Sequence, residues 1–128
     1  MSTRPMLDPA AATPAAIAAR KTFHQDIVAE VAAAVARDAV VVVGMAQNPV
    51  VKRARKVLGE ASVPFTYLEY GSYFSKWRQR LAIKLWSGWP TFPQVYIRGV
   101  LVGGCAELEV VIKEGKLASW IADGPPRT

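Results

Sequence analysis

The stretch AVVVVGMAQNPVVKRARKVLGEASVPFTYLE, residues 39–69, decides the fold because it has the pattern of a strand, a helix and a second strand. Residues 39–43 form an unbroken apolar run rich in valine, which is typical of a strand buried on both faces. Pro49 stands where the first turn of a helix tolerates proline, and Gly59 ends that helix. Residues 63–69 form the second strand, so the order implies a right-handed crossover and parallel pairing.

The segments on either side extend this unit into a complete domain. Upstream, apolar residues at helical spacing predict a helix that ends near Arg37, with Thr22 and Gln25 as its capping box. Downstream, a helix over residues 74–86 is predicted to turn its apolar residues inward. That inner stripe comprises Phe74, Trp77, Leu81 and Leu85.

The last third of the chain adds a hairpin and two helices. Residues 94–97 and 100–102 flank a tight Arg98-Gly99 turn, and helices over residues 106–114 and 116–122 follow. We therefore predict an α/β fold of three α/β/α layers around a mixed four-stranded sheet. Residues 1–20 are expected to form a flexible Ala/Pro-rich leader, residues 21–124 the domain, and residues 125–128 a tail.

Composition limits the classes of protein. The 128 residues suffice for one domain, and no apolar run approaches the roughly 20 residues of a bilayer span, so no membrane association is predicted. A single cysteine, Cys105, excludes an intramolecular disulfide and a cysteine-based zinc site, and we expect a reducing, cytoplasmic setting. The net charge of +6 favours anionic partners. No nucleic-acid-reading module is evident, so we favour an acidic protein partner over nucleic acid.

Three segments carry a resemblance to a known family. They are NPVVKRARKVL at residues 48–58, WPTFPQVY at residues 89–96 and GGCAE at residues 103–107. The first is similar to the Cys-Pro-Tyr-Cys motif and following helix of the glutaredoxins. The second resembles their Thr-x-Pro turn with its cis proline, and the third their Gly-Gly-x-Asp segment. Trp89-Pro90, with Arg80 and Lys84 upstream, resembles the monothiol branch of that family.

The resemblance implies a thioredoxin/glutaredoxin-like fold with an extra N-terminal helix, but without the family's nucleophile. Asn48 and Val51 replace the two motif cysteines. In the family the first cysteine is a thiolate, stabilised at a helix N-terminus, that attacks a glutathione mixed disulfide. The amide of Asn48 has no accessible anionic form, although asparagine is a good helix cap. The same replacement removes the thiolate with which monothiol members hold an iron–sulfur cluster, so we predict neither cluster nor metal.

The resemblance also implies a groove. In the family, glutathione adds like a strand beside the residue before the cis proline, here Phe92. Its γ-glutamyl end meets the start of the helix after the two glycines, so the amides of Gly104, Cys105 and Ala106 are the implied anion-binding end. Arg80 is the implied partner of its glycyl carboxylate. Met45 and Ala106 replace a lysine and an aspartate that bind the ligand, so weak glutathione affinity is expected. The candidate groove comprises Met45, Gln47, Asn48, Arg80, Thr91, Phe92, Pro93, Gly103, Gly104, Cys105 and Ala106.

Three functions remain open from the sequence. The first is a non-catalytic binding or regulatory module that takes a protein partner, or a peptide such as glutathione, in the candidate groove. The second is a glutathione-dependent disulfide oxidoreductase acting through Cys105 alone. The third is other chemistry in which Asn48 or Gln47 orients a substrate. Two basic runs, at residues 52–56 and 76–84, are interpreted first as solvated helix faces, and electrostatic steering of an acidic partner is the alternative.

Overall fold

The computed structural model describes residues 5–8 and 10–128. Its sequence of elements contains six helices and four strands among those residues. They are α1 (Pro14–Thr22), α2 (Gln25–Arg37), β1 (Val40–Gly44), α3 (Pro49–Glu60), β2 (Thr66–Glu69), α4 (Trp77–Ser87), β3 (Gln94–Ile97), β4 (Val100–Gly103), α5 (Cys105–Lys113) and α6 (Leu117–Asp123).

The four strands form one mixed sheet in the order β2-β1-β3-β4. Strand β1 pairs in parallel with β2 and antiparallel with β3, and β3 pairs antiparallel with β4. The parallel pair and the hairpin were both predicted from the sequence and are confirmed. The hairpin turns at Arg98 and Gly99, which both have positive φ (48° and 79°), as a two-residue turn of matching twist requires.

The core lies on both faces of the sheet because alternate valines of β1 point to opposite sides. Val41 and Val43 pack in a cluster with residues of α2 and α4. Val40 and Val42 pack in a second cluster with residues of α3, α5 and α6. The three-layer arrangement predicted from the sequence is therefore confirmed. Within the described residues, no helix combines the length and apolar character needed to cross a membrane.

The N-terminal region differs from the sequence-based expectation. The predicted capping box of Thr22 and Gln25 is wrong, because Thr22 is the last residue of α1 and its Oγ1 donates back to the carbonyls of Ala18 and Ala19. Helix α1 begins at Pro14, inside the segment assigned to a leader, and Thr13 caps it by accepting from the amide of Ala16 at 3.2 Å. The predicted extra N-terminal helix corresponds to α2, and a further helix, α1, precedes it.

The predicted inner stripe of the 74–86 helix is also wrong. Helix α4 buries Arg80, Ala82 and Ile83 instead. The apolar residues of the predicted stripe are exposed, with Phe74 at 94% and Leu85 at 69% of full exposure. The helix is rotated relative to the prediction because the guanidinium of Arg80 finds main-chain partners inside the protein.

Gly71 lies in the loop between β2 and α4, and this position requires glycine. Its φ is +67°, and a Cβ there would lie 2.5 Å from the carbonyl oxygen of Ser75. We expect Gly71→Ala to lower the free energy of unfolding by more than about 2 kcal/mol, measured by urea denaturation, since strain and overlap add. Gly59, inside α3, is the matched control because a Cβ there meets nothing within 4 Å. Gly59→Ala should raise the free energy of unfolding by about 0.5–1 kcal/mol. If both variants lost similar stability, the claim that position 71 requires glycine would be wrong.

Candidate functional site

Asn48 caps the helix at the position where the family carries its nucleophile. Its Oδ1 accepts from the amides of Val50 and Val51 at 2.9 and 3.0 Å, and Pro49 occupies the first helical position. The cap predicted from the sequence is therefore confirmed. Val51, in place of the second cysteine, is 1% exposed and packs so tightly that a Cβ on Gly44 would lie 2.6 Å from its Cγ1. Both motif residues thus make contacts within the protein, Asn48 as a helix cap and Val51 in the core.

Arg80 holds the loop between β2 and α4, which in turn contacts the loop before α3. Its Nη1 donates to the carbonyls of Tyr70 at 3.0 Å and Ser75 at 2.6 Å. The next residue of that loop, Gly71, accepts from the amide of Ala46 at 2.7 Å. Arg80 is 7% exposed, and burial lowers the pKa of its guanidinium. The arrangement makes Arg80 a positioning residue for residues 70–75, whereas the sequence indicated a cation that meets a ligand carboxylate.

The turn before β3 contains the cis peptide bond between Phe92 and Pro93 that the resemblance implied. Fully buried Gln94 holds the turn, because its Nε2 donates to the carbonyl of Trp89 at 3.1 Å. Its Oε1 accepts from the hydroxyl of Tyr96 at 2.8 Å. Burial raises the pKa of Tyr96 to about 12, so this hydroxyl remains a donor at neutral pH. Within the described residues, no hydrogen bond occupies the main-chain groups of Phe92.

Lys84 lies beside this turn, outside the set of residues predicted for the candidate groove. Its Nζ lies 5.6 Å from the centroid of the Phe92 ring, and its side chain is half-buried. The sequence does indicate this position, because Lys84 follows Arg80 by four residues. Residues at that spacing are neighbours on one surface of a helix. Lys84, rather than Arg80, therefore supplies the cation next to Phe92.

The start of α5 adjoins the same turn. A Cβ on Gly104 would lie 3.5 Å from the carbonyl oxygen of Pro93 and 3.6 Å from Nε1 of Trp89. That Nε1 is buried and lacks a hydrogen-bond partner within the described part of the chain. The amide of Gly104 donates to Oε1 of Glu107 at 2.9 Å. The carboxylate of Glu107, a residue not predicted for the candidate groove, therefore accepts from one amide of the implied anion-binding end.

The remaining residues of the candidate groove divide into an exposed rim and a buried floor. Met45 is 6% exposed and packs in the core with Val51 and Phe92. Gln47, Thr91 and Ala106 are exposed. Met45 thus contributes apolar packing where a family lysine would contribute charge.

Cys105 is buried in the first turn of α5, with 4% of its surface exposed. Its Sγ donates to Oε1 of Glu109 at 3.3 Å, and the guanidinium of Arg53 pairs with the same carboxylate at 2.7 and 2.9 Å. Burial, with the hydrogen bond to Glu109, raises the pKa of the Cys105 thiol to about 11. The thiol is therefore protonated at neutral pH, which disfavours nucleophilic attack.

The basic run of α3 is largely satisfied within the protein. Arg53 pairs with Glu109, and the Nζ of Lys56 lies 3.8 Å from the carboxylate of Glu60. The guanidinium carbon of Arg55 lies 3.9 Å from the centroid of the Tyr67 ring. These partners reduce the free positive charge that this surface offers to another molecule.

The donor atoms present do not fit an iron–sulfur cluster. Such a cluster requires thiolate ligands, whereas Asn48 presents an amide whose oxygen already accepts two main-chain N–H groups. The thiol of Cys105 is buried and bonded to Glu109. Across the described ranges, His, Cys, Asp and Glu side chains form no group of three that would hold a metal ion.

Comparison with known proteins gives the same family at the level of sequence and fold. The glutaredoxin family model matches residues 40–102. A glutaredoxin-like protein of Dictyostelium discoideum is 53% identical over 95 residues, which cover 74% of this chain and 77% of that protein.

Two solved structures show the shared fold. The crystal structure of wheat glutaredoxin has a TM-score of 0.66 at 25% identity, over 77% of this chain and 93% of that one. A buckwheat glutaredoxin–glutathione complex shares the fold with a TM-score of 0.68 at 18% identity, over 81% and 94% of the two chains. The order of the motifs, the cis turn and the sequence similarity agree, and the chain belongs to the glutaredoxin family.

Proposed function

We propose that this glutaredoxin-family protein is a non-catalytic binding or regulatory module that accepts glutathione or an extended peptide in the candidate groove. One observation carries the proposal. The motif position holds a helix cap, Asn48, while the Gly103-Gly104 segment still lies so close to the cis turn that a Cβ on Gly104 would be 3.5 Å from the carbonyl oxygen of Pro93. The chain thus keeps the turn and the glycine segment that would bind a ligand, whereas Asn48 replaces the cysteine that would react with it.

The geometry supports binding by strand addition. The main chain of Phe92 offers an N–H and a carbonyl to an extended peptide, and the first amides of α5, at Cys105 and Ala106, suit a carboxylate. The similarity to a glutaredoxin whose structure is described as a glutathione complex favours glutathione as the first ligand to test. Glu107 and Met45 both weaken the binding of an anion, so we expect a dissociation constant on the order of 1 mM.

The alternative through Cys105 gains no support from the geometry. With a pKa of about 11, the thiolate fraction at neutral pH is on the order of one part in ten thousand. The chain also has no second cysteine to resolve a mixed disulfide. A single buried thiol is compatible with a reducing cytoplasmic setting, which stays part of the proposal.

Turnover of a glutathione mixed disulfide tests whether the module is non-catalytic. We expect the parent protein and Cys105→Ser to give the same rate as buffer with glutathione alone. We also expect iodoacetamide to alkylate Cys105 at least about tenfold more slowly in the native protein than in urea near pH 8, because the thiol is buried and protonated. Turnover that disappears in Cys105→Ser would overturn the proposal in favour of the thiol oxidoreductase.

A further inference from the structure

Six large apolar side chains are exposed on α4 and the loop before it. Trp77, Leu81 and Leu85 recur at every fourth residue and therefore form one outward stripe, opposite the buried face of the helix. These side chains form one contiguous apolar patch along α4, whereas the exposed apolar residues of most surfaces are scattered singly. The six are Tyr73, Phe74, Trp77, Leu81, Leu85 and Trp86.

The stripe continues into a groove of about 740 Å³ between α4 and the N-terminal helices. Leu81, Leu85 and Trp86 line one wall, and Ala19 and Phe23 lie on the other. Helix α1 buries none of its own residues, so its side of the groove is open as well. A concave apolar channel beside a helix is the shape that receives an amphipathic helix.

The charge around the groove is positive. Arg78 flanks the outward stripe, and Arg20 lines the groove from α1. Residues 70–106 contain five basic residues and no acidic one. The acidic residues of the adjoining helix α2 are Asp26 and Glu30, and Glu30 accepts from the hydroxyl of Tyr70 at 2.6 Å. The exposed surface therefore combines aromatic residues with cations.

We propose that the α1/α4 groove docks an acidic amphipathic helix of a protein partner. The apolar face of that helix enters between Leu85 and Phe23, and its carboxylates meet Arg20 and Arg78. A second copy of this chain fits poorly, because a two-fold contact through α4 would set these cations against one another. A flat membrane surface fits the concave groove less well than a helix does. This surface is separate from the candidate groove, so each proposal stands or falls without the other.

The test uses a fluorescein-labelled synthetic helix with Leu on one face and Glu on the flanks, followed by fluorescence anisotropy. We expect saturable binding with a dissociation constant on the order of 10 µM. Leu85→Glu and Arg78→Glu should each weaken binding at least about tenfold. Val110→Glu is the matched control, because Val110 is 52% exposed but lies on α5, and it should change affinity less than about twofold.

Several outcomes would overturn the proposal. The first is that binding of the Glu/Leu helix does not saturate. The second is that a helix with Lys in place of Glu binds with the same affinity. The third is that Val110→Glu lowers the affinity as much as Leu85→Glu does. Stronger binding to vesicles of anionic phospholipid than to the helix would assign the surface to a membrane. A dimer in analytical ultracentrifugation that Leu85→Glu dissociates would assign it to a second copy. Circular dichroism of each variant confirms that it is folded before binding is compared.

Discussion

Replacing Arg80 with methionine should lower the free energy of unfolding by about 3 kcal/mol, because hydrogen bonds from a charged donor contribute roughly 1.5–3 kcal/mol each. Arg80 Nη1 satisfies the carbonyls of Tyr70 and Ser75, and methionine fills the space without a donor. The loss of the buried charge offsets part of the cost. Urea denaturation followed by tryptophan fluorescence measures the difference.

Arg78→Met is the matched control for this variant. Arg78 lies two residues away on the same helix but is exposed, so its replacement should change stability by less than about 0.5 kcal/mol. If Arg80→Met were as stable as Arg78→Met and instead lost affinity for a carboxylate ligand, Arg80 would be a binding residue, and the role given to it here would be wrong.

Asn48→Cys should create a reactive thiol and confer turnover of a glutathione mixed disulfide. The new side chain would lie at the N-terminus of α3, where the amides of Val50 and Val51 now donate to Oδ1. These amides and the helix dipole favour a thiolate, so its pKa should fall below the usual value of about 8.5. We expect the rate of mixed-disulfide turnover to rise at least about tenfold over the parent.

The experiment is best performed in a Cys105→Ser background, so that only the new thiol reacts. Ser119→Cys, an exposed position on α6, supplies a matched thiol away from the candidate groove. If both thiols gave the same turnover, the site around Asn48 would contribute nothing beyond exposure, and the inherited groove would lose its main support.

The sequence predicted the elements whose signals are local. The valine run of β1, the Asn48-Pro49 start of α3 and the Arg98-Gly99 turn each depend on residue types that only a few backbone conformations accommodate. The resemblance supplied the cis bond before Pro93. Helices, strands and turns were therefore predicted correctly where a few adjacent residues determine them.

The orientation of α4 was not predictable from periodicity. Apolar spacing shows that a helix is two-sided, but it does not show which side faces the core. Here the buried side contains Arg80, a residue that is rarely buried unless paired, and its partners are main-chain carbonyls of the loop that leads into α4. Glu107 was missed for a similar reason, because its contact with Gly104 depends on the cap geometry of α5.

A ¹⁵N-correlation NMR titration of the reduced protein with glutathione tests the central claim that the candidate groove binds without a nucleophile. The account predicts saturable shifts at the amides of Phe92, Gly103, Gly104 and Ala106, with those of α6 unchanged. Weak affinity is expected, so the titration extends to about 10 mM. No shifts at that concentration, or shifts spread evenly over the surface, would contradict the claim and leave the fold as a scaffold without a glutathione site.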